Sequence, residues 1–162
     1  MADYVCNTSP LQYLHQVGRF ALLPSLLGHV LVPSAVVAEL ATGRALGVDL
    51  PDLDGLDWIT VRSPAQTFAV TSSVTLGLGE IEVIALTLEC GDAVAVLDDR
   101  AARLFAQSLG LRVIGTLGLV LDAKHAGLLP AVKPVLDELR SRRFRLALKT
   151  REAVLRLAGE LP

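Results

Sequence analysis

Short unbroken apolar runs alternate along this chain with stretches whose apolar residues recur every three or four positions. Tyr4 to Cys6, Val30 to Val32, Ala93 to Leu97 and Arg112 to Ile114 are three to five residues long and rich in valine. Continuous runs of that length predict strands buried on both faces. Trp58 to Val61 predicts a fifth. Between them the spacing is helical. Ser9-Pro10 forms a helix start, with Ser at the N-cap and Pro at the first helical position. Leu11, Leu14 and Val17 then keep one face until Gly18. Arg19 to Gly28 predicts a short helix, and Ser34 to Thr42 predicts another that Gly43 closes. Gly79 to Cys90, Asp99 to Leu109 and Thr116 to Ala126 follow, the last two stopped by Gly110 and Gly127. Two more helices are expected near 131–141 and 151–158. The acidic, Pro- and Gly-bearing stretch 47–57 is a loop, and 62–77 is an irregular connection. Strands alternating with helices predict an α/β fold with a central parallel sheet covered on both faces.

A chain of 162 residues is expected to form a single domain, 1–162. Its hydrophobic content of 52% suits a sheet buried on both faces. It does not supply a membrane span, which needs about 18 uninterrupted apolar residues. The best candidate, Phe20 to Pro33, is broken by Pro24, Gly28 and His29. No basic leader with a cleavage site opens the sequence, so a cytoplasmic protein is expected. Cys6 and Cys90 have no metal-type spacing and read as free thiols. A net charge of −2 excludes a globally basic nucleic-acid binder, but the charge is uneven. Twelve of the fifteen Lys and Arg residues fall in 82–162, and the densest segment runs from Arg140 to Arg151. That segment reads either as a solvated connection between helices or as a phosphate-contacting or partner surface.

Three strands end in polar residues: Asn7-Thr8-Ser9, Asp98-Asp99 and Gly115-Thr116. In a parallel sheet these ends share one rim, where ligands bind. Two helical carboxylates stand in apolar surroundings. Glu39 is the only charge in its segment, between Val36, Val37 and Leu40. A carboxylate in so apolar a helix is costly unless it is paired, metal-bound or on a narrow exposed stripe. Glu80 and Glu82 point about 200° apart on a helix, so one of them faces any given site. Glu82 shares its stripe with Glu89 and is expected at the surface, whereas Glu80 is expected to point inward. Asp99 stands where a helix N-cap belongs, which leaves Asp98 at the strand end. Carboxylates gathered on one rim bind hard divalent cations such as Mg²⁺ or Mn²⁺, and such ions activate water against phosphodiesters. Arg100 and Arg103, about one helical turn apart, either contact phosphate or pair with Asp98 and Asp99. No phosphate-binding GxxxxGK[ST] loop, strand-linked GxGxxG or nucleophile elbow competes with this reading.

With these residues identified, nearly the whole chain resembles the PIN-domain superfamily, in particular PIN-like proteins related to VapC-type toxin ribonucleases. "VCNTSPLQYL", "VPSAVVAELATG", "LGLGEIEVIALTLECG" and the long run from Val94 to Lys124 carry the resemblance, together with the closing "VLRLAGE". It implies a PIN-like three-layer α/β/α fold and an endoribonuclease dependent on Mg²⁺ or Mn²⁺. It also implies the toxin half of a toxin–antitoxin pair, with RNA as substrate, an antitoxin protein as partner and a homodimer as assembly. Residue by residue, the family's metal-binding and catalytic positions fall on Asn7, Glu39, Glu80 (Glu82 if the match slips by two) and Asp98 or Asp99. Thr8, Ser9 and Thr116 fall in supporting positions. The departure is Asn7, where many PIN nucleases carry Asp. An amide keeps one carbonyl oxygen for a metal but loses a charge worth roughly 8 kcal/mol gross at 4 Å from a divalent ion and a dielectric of ~20. Lower metal affinity follows, and with it a second expectation: a catalytically weak or inactive PIN-like domain that binds RNA or a partner protein.

Overall fold

The computed structural model describes residues 3–67 and 75–162. Five strands form one sheet: β1 (Asp3–Cys6), β2 (Val30–Val32), β3 (Ile59–Val61), β4 (Ala93–Val96) and β5 (Arg112–Ile114). Every pairing is parallel, and the order is β3-β2-β1-β4-β5. Eight helices are described around it: α1 (Thr8–Gln16), α2 (Leu22–Leu27), α3 (Ser34–Ala45), α4 (Leu78–Cys90), α5 (Arg100–Ser108), α6 (Thr116–His125), α7 (Lys133–Ser141) and α8 (Leu148–Leu157). The result is a three-layer α/β/α fold. The order explains the layering. From β1 to β3 the chain steps one way across the sheet, and from β3 through β4 to β5 it steps back. Right-handed crossovers therefore place the two sets of connecting helices on opposite faces.

The core runs along the sheet. All residues of β2 and β4 are buried, and Val5 and Cys6 of β1 are sealed between them with no exposed surface. The register pairs Cys6 with Val96 and Tyr4 with Val30. Between β1 and β4 the direction of winding reverses, so the carboxyl ends of these two strands flank a crevice. Asn7 leaves one strand there, and Leu97-Asp98 leaves the other.

Two helix ends differ from the sequence expectation. Helix α1 starts at Thr8, so Asn7, extended at φ −85° and ψ 174°, takes the N-cap position expected for Ser9. Pro10 is still tolerated, because the first-turn N–H groups have no intrahelical partner to lose. Gly43 does not close α3, which runs on to Ala45 and is followed by Gly47 at φ +85°. A Cβ at Gly43 would collide with the Leu50 Cδ1 methyl, so this glycine serves the packing of the following loop. Of the irregular connection expected over 62–77, residues 68–74 lie outside the described residues.

Candidate active site

The switch point of the sheet gathers polar side chains from five segments. Asn7 is buried, at 6% exposure. Its backbone N–H donates to the Val96 carbonyl at 3.1 Å, continuing the β1–β4 ladder past the end of the strand. Its side chain makes no cap bond to α1, and its buried Oδ1 has no hydrogen-bond partner among the described residues. An orphaned acceptor in the interior is costly and asks for a ligand.

Asp98 follows β4 and is held by the start of α6. Its Oδ1 accepts the Thr116 backbone N–H and its Oδ2 accepts the Thr116 hydroxyl, both at 2.7 Å. Thr116 has no exposed surface. Burial pushes the Asp98 carboxyl above the ordinary carboxylate range, against the Thr116 bonds and the nearby Arg103 charge. Asp98 in turn helps burial raise the Cys6 thiol. Arg103 does not form a salt bridge with Asp98. Its Nη1 donates to the Leu97 carbonyl at 2.9 Å. Gly115 permits this crowding, since a Cβ there would lie 2.7 Å from Arg103 Nη1 and 3.0 Å from Asp98 Oδ1. Asp99 caps α5 through Oδ2, which accepts the Ala102 N–H at 2.9 Å.

Glu39 reaches the same rim from α3. It is exposed rather than buried in the apolar face of that helix. Its Oε2 accepts the Thr8 hydroxyl, and its Oε1 accepts the Gly79 N–H at 3.1 Å. Gly79 is glycine for a local reason: a Cβ would lie 2.7 and 2.9 Å from the two Glu39 carboxylate oxygens. Glu80, half-buried one residue on, closes the first turn of α4 by accepting the Gly77 N–H at 2.8 Å. Burial raises its carboxyl, the Gly77 bond opposes that rise, and the charges of Asp99 and Glu39 add to it. Glu80 therefore feels the charges of both Asp99 and Glu39.

Glu82 departs from the expected surface position. It is half-buried, and its Oε2 accepts the Ala35 N–H at 2.8 Å, satisfying the first turn of α3. Glu89, on the same stripe, accepts the Ala65 and Gln66 N–H groups at 2.6 and 3.2 Å. Both carboxylates hold backbone, a tertiary use that an isolated helical wheel does not reveal.

Two clefts adjoin the rim. One, of about 440 Å³, is lined by Ser9, Tyr13, Glu80, Asp98, Asp99 and Arg100, with Phe144 and Arg145. The other, of about 410 Å³, shares Asp98, Phe144 and Arg145 and adds apolar walls from β5 and α6. Tyr13, Phe144 and Arg145 were not singled out by motif. For Phe144 and Arg145 the available signal was the basic segment around them, in which Phe144 is the one aromatic residue. That segment divides in function. Arg151 is buried and its Nη2 donates to Asp137 at 2.7 Å, while Arg145 is exposed and lines both clefts.

Among the described residues, no three His, Cys, Asp or Glu side chains form a metal cluster. The available donors are nevertheless all hard oxygens, from Asn7, Glu39, Glu80, Asp98 and Asp99. By donor chemistry, such oxygens, the orphaned Asn7 Oδ1 among them, suit a hard divalent cation rather than a soft metal.

A doubly wound α/β/α fold with an oxygen-rich site at its switch point defines the class. Residues 3–160 match a family model described as a PIN domain, and the chain belongs to that family. That fold is of nuclease type, its members generally use divalent metal ions, and it suggests RNA binding. No curated protein matches the chain. None of the described helices is long and apolar enough to cross a membrane.

Proposed function

We propose that this chain is a single-domain endoribonuclease, dependent on Mg²⁺ or Mn²⁺, that hydrolyses RNA phosphodiesters. The observation that carries the reading is the buried Asn7 Oδ1, left without a partner on the rim that also bears Asp98. Asn7, Glu39, Glu80 and Asp98 would hold the cation, with Asp99 at the edge of the set. When bound, it supplies positive charge for the leaving oxygen and lowers the pKa of a water molecule. The protein's own groups do the rest. Thr116 fixes both oxygens of Asp98, and Thr8 with Gly79 fixes those of Glu39. Glu80, its carboxyl raised by burial and by neighbouring charge, holds a proton more tightly than an ordinary carboxylate while no cation is bound. Arg100 and Arg145 line the acidic cleft without a salt bridge among the described residues, and they supply charge for the RNA phosphates. Arg103, bound to the Leu97 carbonyl, supports the Asp98 loop more directly than it supports substrate.

The resemblance to VapC-type toxins supports the further proposal of a cytoplasmic toxin with an antitoxin partner and a homodimeric assembly. A second reading, an RNA- or partner-binding domain that does not cut, is favoured by the amide at position 7 and by the lack of a three-acid cluster among the described residues. One experiment separates the two. Purified protein is incubated with RNA and Mn²⁺ or Mg²⁺, alongside Asp98→Asn and Asn7→Asp variants. Metal-dependent cleavage lost in Asp98→Asn is the expected result. No cleavage by the wild type, with cleavage gained in Asn7→Asp, would replace the first reading by the second.

A further inference from the structure

The two clefts meet along Asp98, Phe144 and Arg145 but differ in chemistry. One is the acidic lobe of the proposed active site. The other has apolar walls from Val113, Ile114, Leu117 and Phe144, with Arg103 and Thr150 adding polar lining, and a volume of about 410 Å³, within the range of small-molecule sites. Its apolar lining arises because β5 is the edge of the sheet. Val113 and Ile114 are only half-buried there, whereas every residue of the neighbouring β4 is covered.

The far wall is set by an unusual helix end. Helix α7 closes with Arg143 N–H donating to Arg140 O and Phe144 N–H to Leu139 O, both at 3.0 Å. This paired closure needs a left-handed residue, and Arg143 takes it at φ +65°. Glycine holds the left-handed position after α1, α3, α5, α6 and α8, at Gly18, Gly47, Gly110, Gly127 and Gly159. The turn buries Phe144, whose ring meets Tyr13 edge-on with centroids 5.0 Å apart. Arg145 follows directly. It is exposed, has no ion pair among the described residues, and borders both lobes.

We propose that the apolar lobe is a nucleobase subsite, receiving the base of the nucleotide next to the reacting phosphate, and that Arg145 contacts a phosphate at the junction of the lobes. A nucleotide joins an apolar-faced ring to an anion, and this site joins an apolar pocket to a cation beside the acidic rim. The inference rests on the nuclease reading for its substrate class, but its test does not use cleavage. Full-length protein carrying ¹³C-methyl Val, Ile and Leu is titrated in EDTA with a nucleoside 5′-monophosphate and, separately, with ribose 5-phosphate and inorganic phosphate. The nucleotide should shift the methyls of Val113, Ile114 and Leu117, and the two base-free phosphates should not. Arg145→Ala should weaken nucleotide binding roughly tenfold, and Arg145→Lys should recover part of the loss. Equal shifts from ribose 5-phosphate, or nucleotide shifts only at other methyls, would overturn the subsite. Methyl shifts in a protein that fails to cleave RNA would leave the subsite standing while the nuclease reading falls. Cleavage without those shifts would remove the subsite alone.

Discussion

Replacing Gly79 by Ala should separate the stability of the fold from the integrity of the site. Gly79 is buried in the first turn of α4 and has no left-handed backbone, so Ala is compatible with its conformation. A Gly→Ala change within a helix contributes about 0.5–1 kcal/mol of stability. Against this stands the new Cβ, 2.7 and 2.9 Å from the Glu39 oxygens, when carbon contacts favour about 3.5 Å or more. The carboxylate is the free end of a flexible side chain, so it retreats by roughly 0.6–0.8 Å while the backbone stays in place. The retreat weakens the 3.1 Å bond from Gly79 N–H to Glu39 Oε1, a loss of about 1.5 kcal/mol for a charged acceptor. The two terms nearly cancel, and the thermal midpoint in EDTA should stay within about 4 °C of wild type. The site has no such compensation. A misplacement of 1 Å costs about a hundredfold in a positioned catalytic group, so about two-thirds of that displacement should cost roughly twentyfold in RNA cleavage. Calorimetric Mn²⁺ affinity should fall alongside. Gly77→Ala is the control, since its Cβ would meet Glu80 Oε2 at an ordinary 3.4 Å. Wild-type cleavage and Mn²⁺ affinity in Gly79→Ala would refute the reasoning, because they would show that the position of the Glu39 carboxylate does not matter to the site.

Three other outcomes follow from the same geometry. Asp98 has a raised carboxyl, so the folded metal-free chain holds that proton more tightly than the unfolded chain. Its contribution to stability is therefore full at acidic pH and lost as pH rises through the folded value. Asp98→Asn should raise the metal-free melting temperature at neutral pH and lose that advantage as pH falls to the ordinary carboxylate range, as a pH series of melts would show. Glu82→Ala leaves the Ala35 N–H without its carboxylate and should lower stability by about 1–3 kcal/mol in urea titration, with Mn²⁺ affinity little changed. Asn7→Asp should lower the melting temperature in EDTA and raise it in millimolar Mn²⁺; a shift of the same sign in both buffers would contradict the proposed metal position.

The inner strands β2 and β4 were legible because each is a short apolar run, and a strand buried on both faces needs little more than that. The rim was legible for a related reason: Asn7, Asp98 and Thr116 are the first polar residues after such runs, and parallel strands bring those ends together. What the sequence concealed depends on residues distant along the chain. Gly43 looks like a helix stop until Leu50 is seen folding back against it. Glu82 looks like a surface residue on a helical wheel, because the wheel does not include the start of α3. Phe144 and Arg145 look like part of a basic run. Their place at the site follows from one left-handed arginine and one aromatic contact with α1, neither of which has a local signature.

The amide at position 7 is best understood through the two carboxyls that burial already raises, Asp98 and Glu80. A carboxylate at Asn7 would be buried at 6% exposure close to Asp98 and would add another disfavoured charge to the metal-free chain. The amide avoids that charge but leaves Oδ1 without a partner, at a cost of about 1–3 kcal/mol. A bound cation, a water molecule or a ligand's hydrogen-bond donor would satisfy that oxygen. If the site holds the proposed ion, Asn7 gives up affinity for it in exchange for a fold that depends less on having it bound. On this account the quantity that distinguishes this chain from one with Asp at the same strand end is the coupling between metal and stability. That coupling should be smaller here, with cleavage half-saturating at higher Mn²⁺ than in Asn7→Asp.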